Sequence, residues 1–474
     1  MTRYYARPAV LAVLLAVLAP PMAAAPAPAQ PREPARAAGR DPAAGIAART
    51  LENGMKIIVW PDHDIPNVTM ETFYRVGSRN ERPGITGVSH FFEHMMFNGS
   101  AKYGPGEFDR VMEANGGANN AYTSEDVTAY QNWFGRDALE LIFQLEADRI
   151  CCLRFDSTSV ESERGVVFSE RQATTDDDVQ STLDEQVRAA AFVAHPYGIP
   201  IIGWPSDIQS WTMADLQQHF RTYYAPNNAT MLVVGDVTPG EVFALAERYL
   251  EPIPSQPPPP AVRTKEPPQQ GERRVTVRRE SQLPYLEFAY HCGSANDSDV
   301  EALSMLLSML VDGESSRLYR RMVDTDRVAV SVDGYVNNGF DPGAIQFYVT
   351  VSQEKGAAAA ESTFVDELAR FAKEGPTAAE LAKARNIKLA GYYHSLETIE
   401  GKAEALGNFE VFRGDYRKLF TAPDRYARVT RAQVQELARR IFAETNRTVG
   451  VVIPEASAPE PAPTRGKAAK GGAR

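Results

Sequence analysis

Two histidines and a glutamate on one short segment set the chemistry available to this chain. In Ile85-Thr-Gly-Val-Ser-His-Phe-Phe-Glu-His-Met-Met-Phe-Asn98, His90 and His94 stand at i and i+4, with Glu93 between them. On a helix those two positions share a face, so both imidazoles can reach one ion. Zinc takes neutral imidazole nitrogens at about 2.0–2.1 Å and keeps a fourth position open when the protein supplies three ligands. Such an ion lowers the pKa of a bound water to about 7. A neighbouring carboxylate, here Glu93, can take that proton and later give it to a leaving amine. A purely structural role is the weaker reading, because two histidines and a glutamate are costly to bury unpaired on an apolar helix.

A third ligand belongs on a neighbouring helix. Val160-Glu-Ser-Glu-Arg-Gly-Val-Val-Phe-Ser-Glu-Arg171 places Glu163 and Glu170 seven residues apart, two helical turns, on one side. Val166, Val167 and Phe168 make this helix partly buried. The bland alternative is two solvated charges beside Arg164 and Arg171. A carboxylate facing inward needs a cation, and alongside the histidine motif Glu170 is the expected third ligand.

The elements that must hold these side chains occur twice. Residues 212–234 and 430–452 align without a gap at an offset of 218, with nine identities that include Thr212/Thr430, Arg221/Arg439, Asn228/Asn446 and Val233/Val451. Each copy reads as a helix with a threonine N-cap, a turn and a buried strand. The starts of the halves match as well: apolar strands at 55–60 and 68–76 precede Gly77-Ser78, and strands at 274–279 and 285–292 precede Gly293-Ser294. A repeat this long is a domain duplication, not a solenoid. Strands first, then helices, then a closing helix and strand give an α+β fold: two homologous halves, each a mainly antiparallel sheet with helices packed on it. Helices are expected near 85–98, 106–115, 136–150, 157–176 and 212–223, then near 298–311, 356–373, 377–395 and 430–443. The expected organisation is a signal peptide over 1–29 and a disordered stretch over 30–45. A metal-bearing half over 46–253, a Pro-rich linker over 254–271, a second half over 272–454 and a disordered tail over 455–474 follow.

With these motifs in place, the sequence resembles the pitrilysin/insulinase metallopeptidase family. The H-x-x-E-H order is that of the inverzincins, and the ligand glutamate of the family falls about 80 residues after the first histidine, as Glu170 does after His90. Further matches are Gly117-Ala-Asn-Asn-Ala-Tyr-Thr-Ser-Glu-Asp-Val-Thr-Ala-Tyr130, His195-Pro-Tyr-Gly198, Gly235-Asp236 and Ser315-Ser-Arg-Leu-Tyr319. The resemblance spans about residues 46–454. It implies that the halves form a clam-shell around a chamber and that Glu163 assists catalysis. It also implies that a peptide substrate adds as a strand near Asn120 and Ala121, with main-chain pairing giving little sequence preference. Without the resemblance, Asn119 and Asn120 after Gly116-Gly117 read as a polar turn.

The chain departs from the family in its second half. Val300–Leu310, the counterpart of the metal helix, has no histidine, which is usual for the family. The family's Arg and, seven residues later, Tyr, which bind substrate and help stabilise the oxyanion, fall on Val323 and Val330 in the register of Ser316-Arg317-Leu318. Neither valine can donate a side-chain hydrogen bond. Arg320, Arg321 or Arg327 could substitute, but none has a tyrosine at the matching spacing. The expectation is a zinc (Zn2+) endopeptidase acting on peptides or unfolded polypeptides and completed by a homologous partner subunit or by homodimerisation. The alternative is a non-catalytic chamber or assembly subunit that retains the fold.

Composition narrows the setting. A formal net charge of −11 disfavours general nucleic-acid binding. Arg3 and Arg7, the apolar run Ala9–Leu18 and the small residues after it form a secretory signal pattern, with cleavage after Ala25 or, slightly favoured, Ala29. The run is too short for a stable membrane anchor, no cysteine follows it for lipidation, and the arginines are not paired, so a periplasmic or secreted location is expected. The three cysteines, Cys151, Cys152 and Cys292, exclude a disulfide framework. Cys151 and Cys152 are expected as buried small side chains rather than soft metal ligands.

Overall fold

The computed structural model describes residues 43–455. The signal segment, residues 30–42 and the tail beyond 455 lie outside the described residues; residues 43–45 form a turn. The first sheet is built from β1 (Ala47–Thr50), β2 (Lys56–Pro61), β3 (Asn67–Tyr74), β4 (Ala118–Thr123), β5 (Thr128–Gly135) and β6 (Ala229–Gly235), in the order β1-β2-β6-β3-β5-β4. The second contains β7 (Arg273–Glu280), β8 (Tyr285–His291), β9 (Ala329–Asn337), β10 (Ala344–Val351) and β11 (Arg447–Glu455), in the order β7-β11-β8-β10-β9. In each sheet the closing strand inserts between the first two strands of the repeat. It pairs parallel with one, β6 with β2 and β11 with β7, and antiparallel with the other. All other pairings are antiparallel. The fold is therefore α+β with the duplication visible in strand order.

The helices are α1 (Val88–Met95), α2 (Glu107–Ala114), α3 (Leu139–Cys152), α4 (Ser157–Arg171), α5 (Val179–Ala191), α6 (Pro205–Ser210) and α7 (Met213–Tyr223). They continue with α8 (Pro239–Tyr249), α9 (Val300–Val311), α10 (Ala357–Glu374), α11 (Ala378–Ser395), α12 (Ile399–Arg413), α13 (Ala422–Arg428) and α14 (Arg431–Ile441). Thr212 and Thr430 cap α7 and α14 as the repeat requires. Each hydroxyl accepts the N–H three residues on, and the side chain of that residue returns a bond to the threonine N–H.

Strand periodicity divides the core. β6 is buried along its whole length, as a strand covered on both faces must be. Ile57, Val59, Met231 and Val233 point to one face, where they pack with α1, α3 and α7. Ile58, Leu232 and Val234 point to the other, against Ala403 and Leu406 of α12. The second sheet repeats the scheme: Leu286, Phe288 and Tyr290 join its own helices, whereas Ala289 and Val452 meet Leu183 and Val187 of α5. Each half thus lends one helix to the other half's sheet. The Pro-rich stretch 254–271 has no regular structure, and the Glu266 carboxylate pins it by accepting the N–H groups of Val193, Ala194 and His195 at 2.9–3.1 Å.

Cys151 and Cys152 depart from expectation. They end α3 beyond its core-facing residues Ile142, Phe143 and Ile150; Cys151 is exposed and Cys152 half-buried, and the two are joined as a disulfide. A bond between adjacent residues staples no two elements, so the fold still carries no disulfide framework. Cys292 is buried and free, and burial pushes its thiol up to about 12.

Candidate metal centre

His90, Glu93 and His94 lie on α1 and turn toward α4. The two imidazole rings meet edge to face with centroids 4.8 Å apart. Glu170 Oε2 sits 3.3 Å from His94 Nε2 and 3.7 Å from His90 Nε2. One possible ligand atom from each of the three residues falls within 4.8 Å of the others.

The hydrogen bonds fix which atoms face the gap. His94 Nδ1 lies 2.8 Å from Glu163 Oε1, so in the neutral ring the proton sits on Nδ1 and the Nε2 lone pair faces Glu170. Glu170 Oε2 is buried and has no aligned donor. Two imidazole nitrogens and a carboxylate oxygen, all possible ligand atoms, therefore converge. A tetrahedral ion with bonds of 2.0–2.1 Å has ligand–ligand edges of about 3.3–3.4 Å, and 3.3 and 3.7 Å bracket that edge closely. The residues fit zinc.

The local electrostatics say the same. Burial opposes a charge on His94, but Glu163 and Glu170 outweigh it and raise the ring to about 9. Burial, with His94 beside it, pushes His90 down. Glu170 is held below the usual carboxylate range by His94 despite its burial. Burial would raise Glu163, but hydrogen bonds from His94 and Asn98 bring it below its ordinary value. Glu163 and Glu170 together favour a positive charge at this point. Glu93 differs: burial raises it, and the facing Thr123 pulls it only partly back. One of its oxygens is buried without a partner. A basic carboxylate with an unused oxygen suits proton transfer.

Arg164 and Arg171, the solvating partners of the bland reading, are committed elsewhere. Arg164 donates to the carbonyls of Ile208 and Trp211. Arg171 is buried against Glu185 and the Gly203 carbonyl, each at 2.7 Å. They anchor α4 and leave Glu163 and Glu170 to face α1. After Arg171, one residue beyond Glu170, the helix widens into a π-helical turn, Gln172–Asp176, a distortion frequent at functional sites.

The site opens on a cleft of about 440 Å³ lined by His90, Glu93, Ala121, Thr123, Glu170 and Asp184, among others, all from residues 90–202. A larger hollow of about 550 Å³ beside Cys151, Phe155 and Phe220 has no such cluster of acid, base and ligand groups, so size does not select the site. β4 carries Asn120 and Ala121 at the edge of the first sheet and, among the described residues, pairs only with β5. Ala121 lines the cleft and Asn120 is exposed; the segment is a strand rather than a polar turn. Val323 packs beside the second core, and Val330 on β9 is exposed. Arg317 is held by Glu380, and Arg321 by Asp326. Thr123, Asn98 and Asp184 were not singled out from the sequence. Asn98 stands four residues after His94, the same helical spacing that links the histidines, and so carried a signal; Thr123 and Asp184 arrive from other elements and carried none.

Matches to known proteins cover both halves of the chain. The insulinase (peptidase family M16) profile matches residues 57–204, which hold all of the centre. The peptidase M16 inactive-domain profile matches residues 210–388. A zinc protease of Helicobacter pylori, PqqE, is 29% identical over 409 residues, covering 85% of this chain and 92% of that protein. The crystal structure of a protease from Helicobacter pylori superposes with a TM-score of 0.83 at 29% identity, covering 86% of this chain and 99% of that one. A peptidase M16 inactive-domain structure from Pseudomonas fluorescens shares the fold with a TM-score of 0.80 at 18% identity, covering 87% and 98%. The fold and the paired profiles define a duplicated α+β metallopeptidase scaffold. The chain belongs to the pitrilysin/insulinase family, peptidase family M16.

Proposed function

We propose that this chain is a zinc-dependent endopeptidase that cleaves peptides or unfolded polypeptides inside a chamber. The carrying observation is the convergence of one possible ligand atom each from His90, His94 and Glu170 within 4.8 Å of the others, with Glu93 beside them. Zinc held by those three residues would supply Lewis-acid polarisation of the scissile carbonyl and acidify the attacking water. Glu93 takes the water proton and delivers it to the leaving amine. Glu163 fixes the tautomer and direction of His94. The substrate adds to the free edge of β4 at Asn120 and Ala121, which aims its backbone along the cleft.

The chain does not complete the site alone. Val323 and Val330 occupy the positions where the resemblance calls for arginine and tyrosine, and the lining of the cleft comes from the first half only. A homologous partner subunit, or a second copy, brings the oxyanion donors and closes the chamber. The signal pattern over residues 1–29 directs the protein to the periplasm or outside the cell. Among the described residues no helix is long and apolar enough to cross a membrane. The valines also favour a second reading, a non-catalytic assembly subunit that keeps the fold.

Glu93→Gln separates the two readings. The enzyme reading expects zinc to be retained and peptide cleavage by the native complex to fall about 10²–10⁴-fold. Unchanged cleavage by that variant complex overturns it.

A further inference from the structure

The metal helix α1 is only eight residues long, Val88–Met95, yet it must aim three functional side chains. It starts at Gly87, which lies in the left-handed region at φ 84° and offers no side-chain cap. Its first N–H groups are satisfied from outside. The Gly87 N–H donates to Glu81 Oε2 and the Ser89 N–H to Glu81 Oε1, both at 2.7 Å. Glu81 is 7% exposed, so this carboxylate is committed to the helix start rather than to solvent. Burial raises the Glu81 carboxyl to about 8, and the Ser89 and Gly87 N–H bonds work against that rise; each oxygen takes one of the helix's orphan N–H groups.

Ser89 is gripped at two further atoms. Its hydroxyl lies 3.1 Å from Nε2 of the buried His219, and its carbonyl accepts the Tyr224 hydroxyl at 3.2 Å. Ser89 precedes His90 and sits one turn before Glu93, so its position sets the roll of both. On the opposite side Gly87 presses against Gly203: a Cβ on Gly87 would lie 2.3 Å from the Ile202 carbonyl oxygen. Residues 200–202 form one wall of the cleft. The helix is thus wedged at Gly87 and steered at Ser89.

We infer that Glu81 is a positioning residue for the metal centre, setting the roll of α1 through Ser89 so that His90, His94 and Glu93 keep their aim. The inference rests on the reading that α1 carries the metal ligands. An ordinary cap would stabilise the helix without affecting how tightly an ion is held; a steering contact affects both. In Glu81→Gln one side-chain oxygen can still accept, but the amide NH₂ must then face the other backbone N–H, donor against donor.

The test is zinc affinity by chelator competition on the full chain, below the melting temperature of every variant. Melting temperature, and kcat and KM of the native complex, are measured alongside. Wild type is compared with Glu81→Gln, with His219→Phe, which removes the grip on the Ser89 hydroxyl, and with Glu367→Gln. Glu367 is a buried acid of the second half paired with Arg370. Glu81→Gln is expected to weaken zinc binding on the order of 10-fold or more and to lower kcat with KM unchanged. His219→Phe moves in the same direction by less, and Glu367→Gln lowers only the melting temperature. Wild-type zinc affinity in Glu81→Gln, or in His219→Phe where Glu81→Gln is not recovered folded, overturns the inference alone. A wild-type chain that binds no zinc overturns the metal reading and this inference together.

Discussion

Glu163 tests how the centre is assembled residue by residue. Its contact with His94 Nδ1 at 2.8 Å fixes which imidazole nitrogen faces Glu170. Glu163→Gln can present its NH₂ to that nitrogen and favour the wrong tautomer, so zinc affinity should drop about 10–100-fold without loss of fold. Competitive chelation together with circular dichroism checks this. At this scale the sequence was informative. His90, Glu93 and His94 were legible because helical periodicity alone brings them to one face, and Glu163 and Glu170 because they stand two turns apart. Thr123, which pulls down the pKa of Glu93, was not legible, since it reaches the site from the end of β4. Glu81 was hidden for a similar reason: it lies in the loop before α1, and only the folded path of that loop returns its carboxylate to the helix start.

At the scale of elements, the close backbone approach of Gly203 to the start of α1 decides where the helix sits. Gly203 has φ 87°, and a Cβ there would lie 2.4 Å from the Thr86 carbonyl oxygen. Gly203→Ala should cost about 2–4 kcal/mol, combining the left-handed backbone penalty with overpacking, and a denaturant titration reads it directly. Strongly periodic helices were legible: 157–176 was expected as one helix, and the structure keeps the span but changes its winding to a π turn after Arg171. α5, α6, α8, α12 and α13 were missed. α12 contains two glycines and carries an acid, Glu410, among its buried positions, so no apolar stripe marks it; its partner surface is the other half's sheet, which no local window contains.

At the scale of the whole molecule, the exchanged helices α5 and α12 meet their sheets through matched acid pairs. Gln131 Nε2 donates to Glu71 of β3 at 2.9 Å and to Glu404 of α12 at 3.2 Å. Gln346 Nε2 donates to Glu287 of β8 at 3.0 Å and to Asp184 of α5 at 2.8 Å. Burial and then the facing acid raise Glu71 and Glu287 well above 4.5. A carboxyl whose folded pKa exceeds its unfolded one contributes stability that is complete below the unfolded value, near 4.5, and is lost as pH rises through the folded value. The wild-type chain should therefore lose stability from about pH 5 upward at these joints, and Glu71→Gln and Glu287→Gln should flatten that loss. Unfolding free energies measured from pH 5 to 9 give the comparison. The duplication behind this symmetry was readable in the 218-residue offset, but the exchange of helices was not.

The central claim is that one divalent ion sits between His90, His94 and Glu170. Zinc per chain, measured by elemental analysis after gel filtration of wild type and Glu170→Gln, tests it most directly. The account predicts close to one zinc per wild-type chain and a large loss in the variant while it stays folded. Equal zinc in both, or none in a folded wild-type chain supplied with zinc, would contradict it.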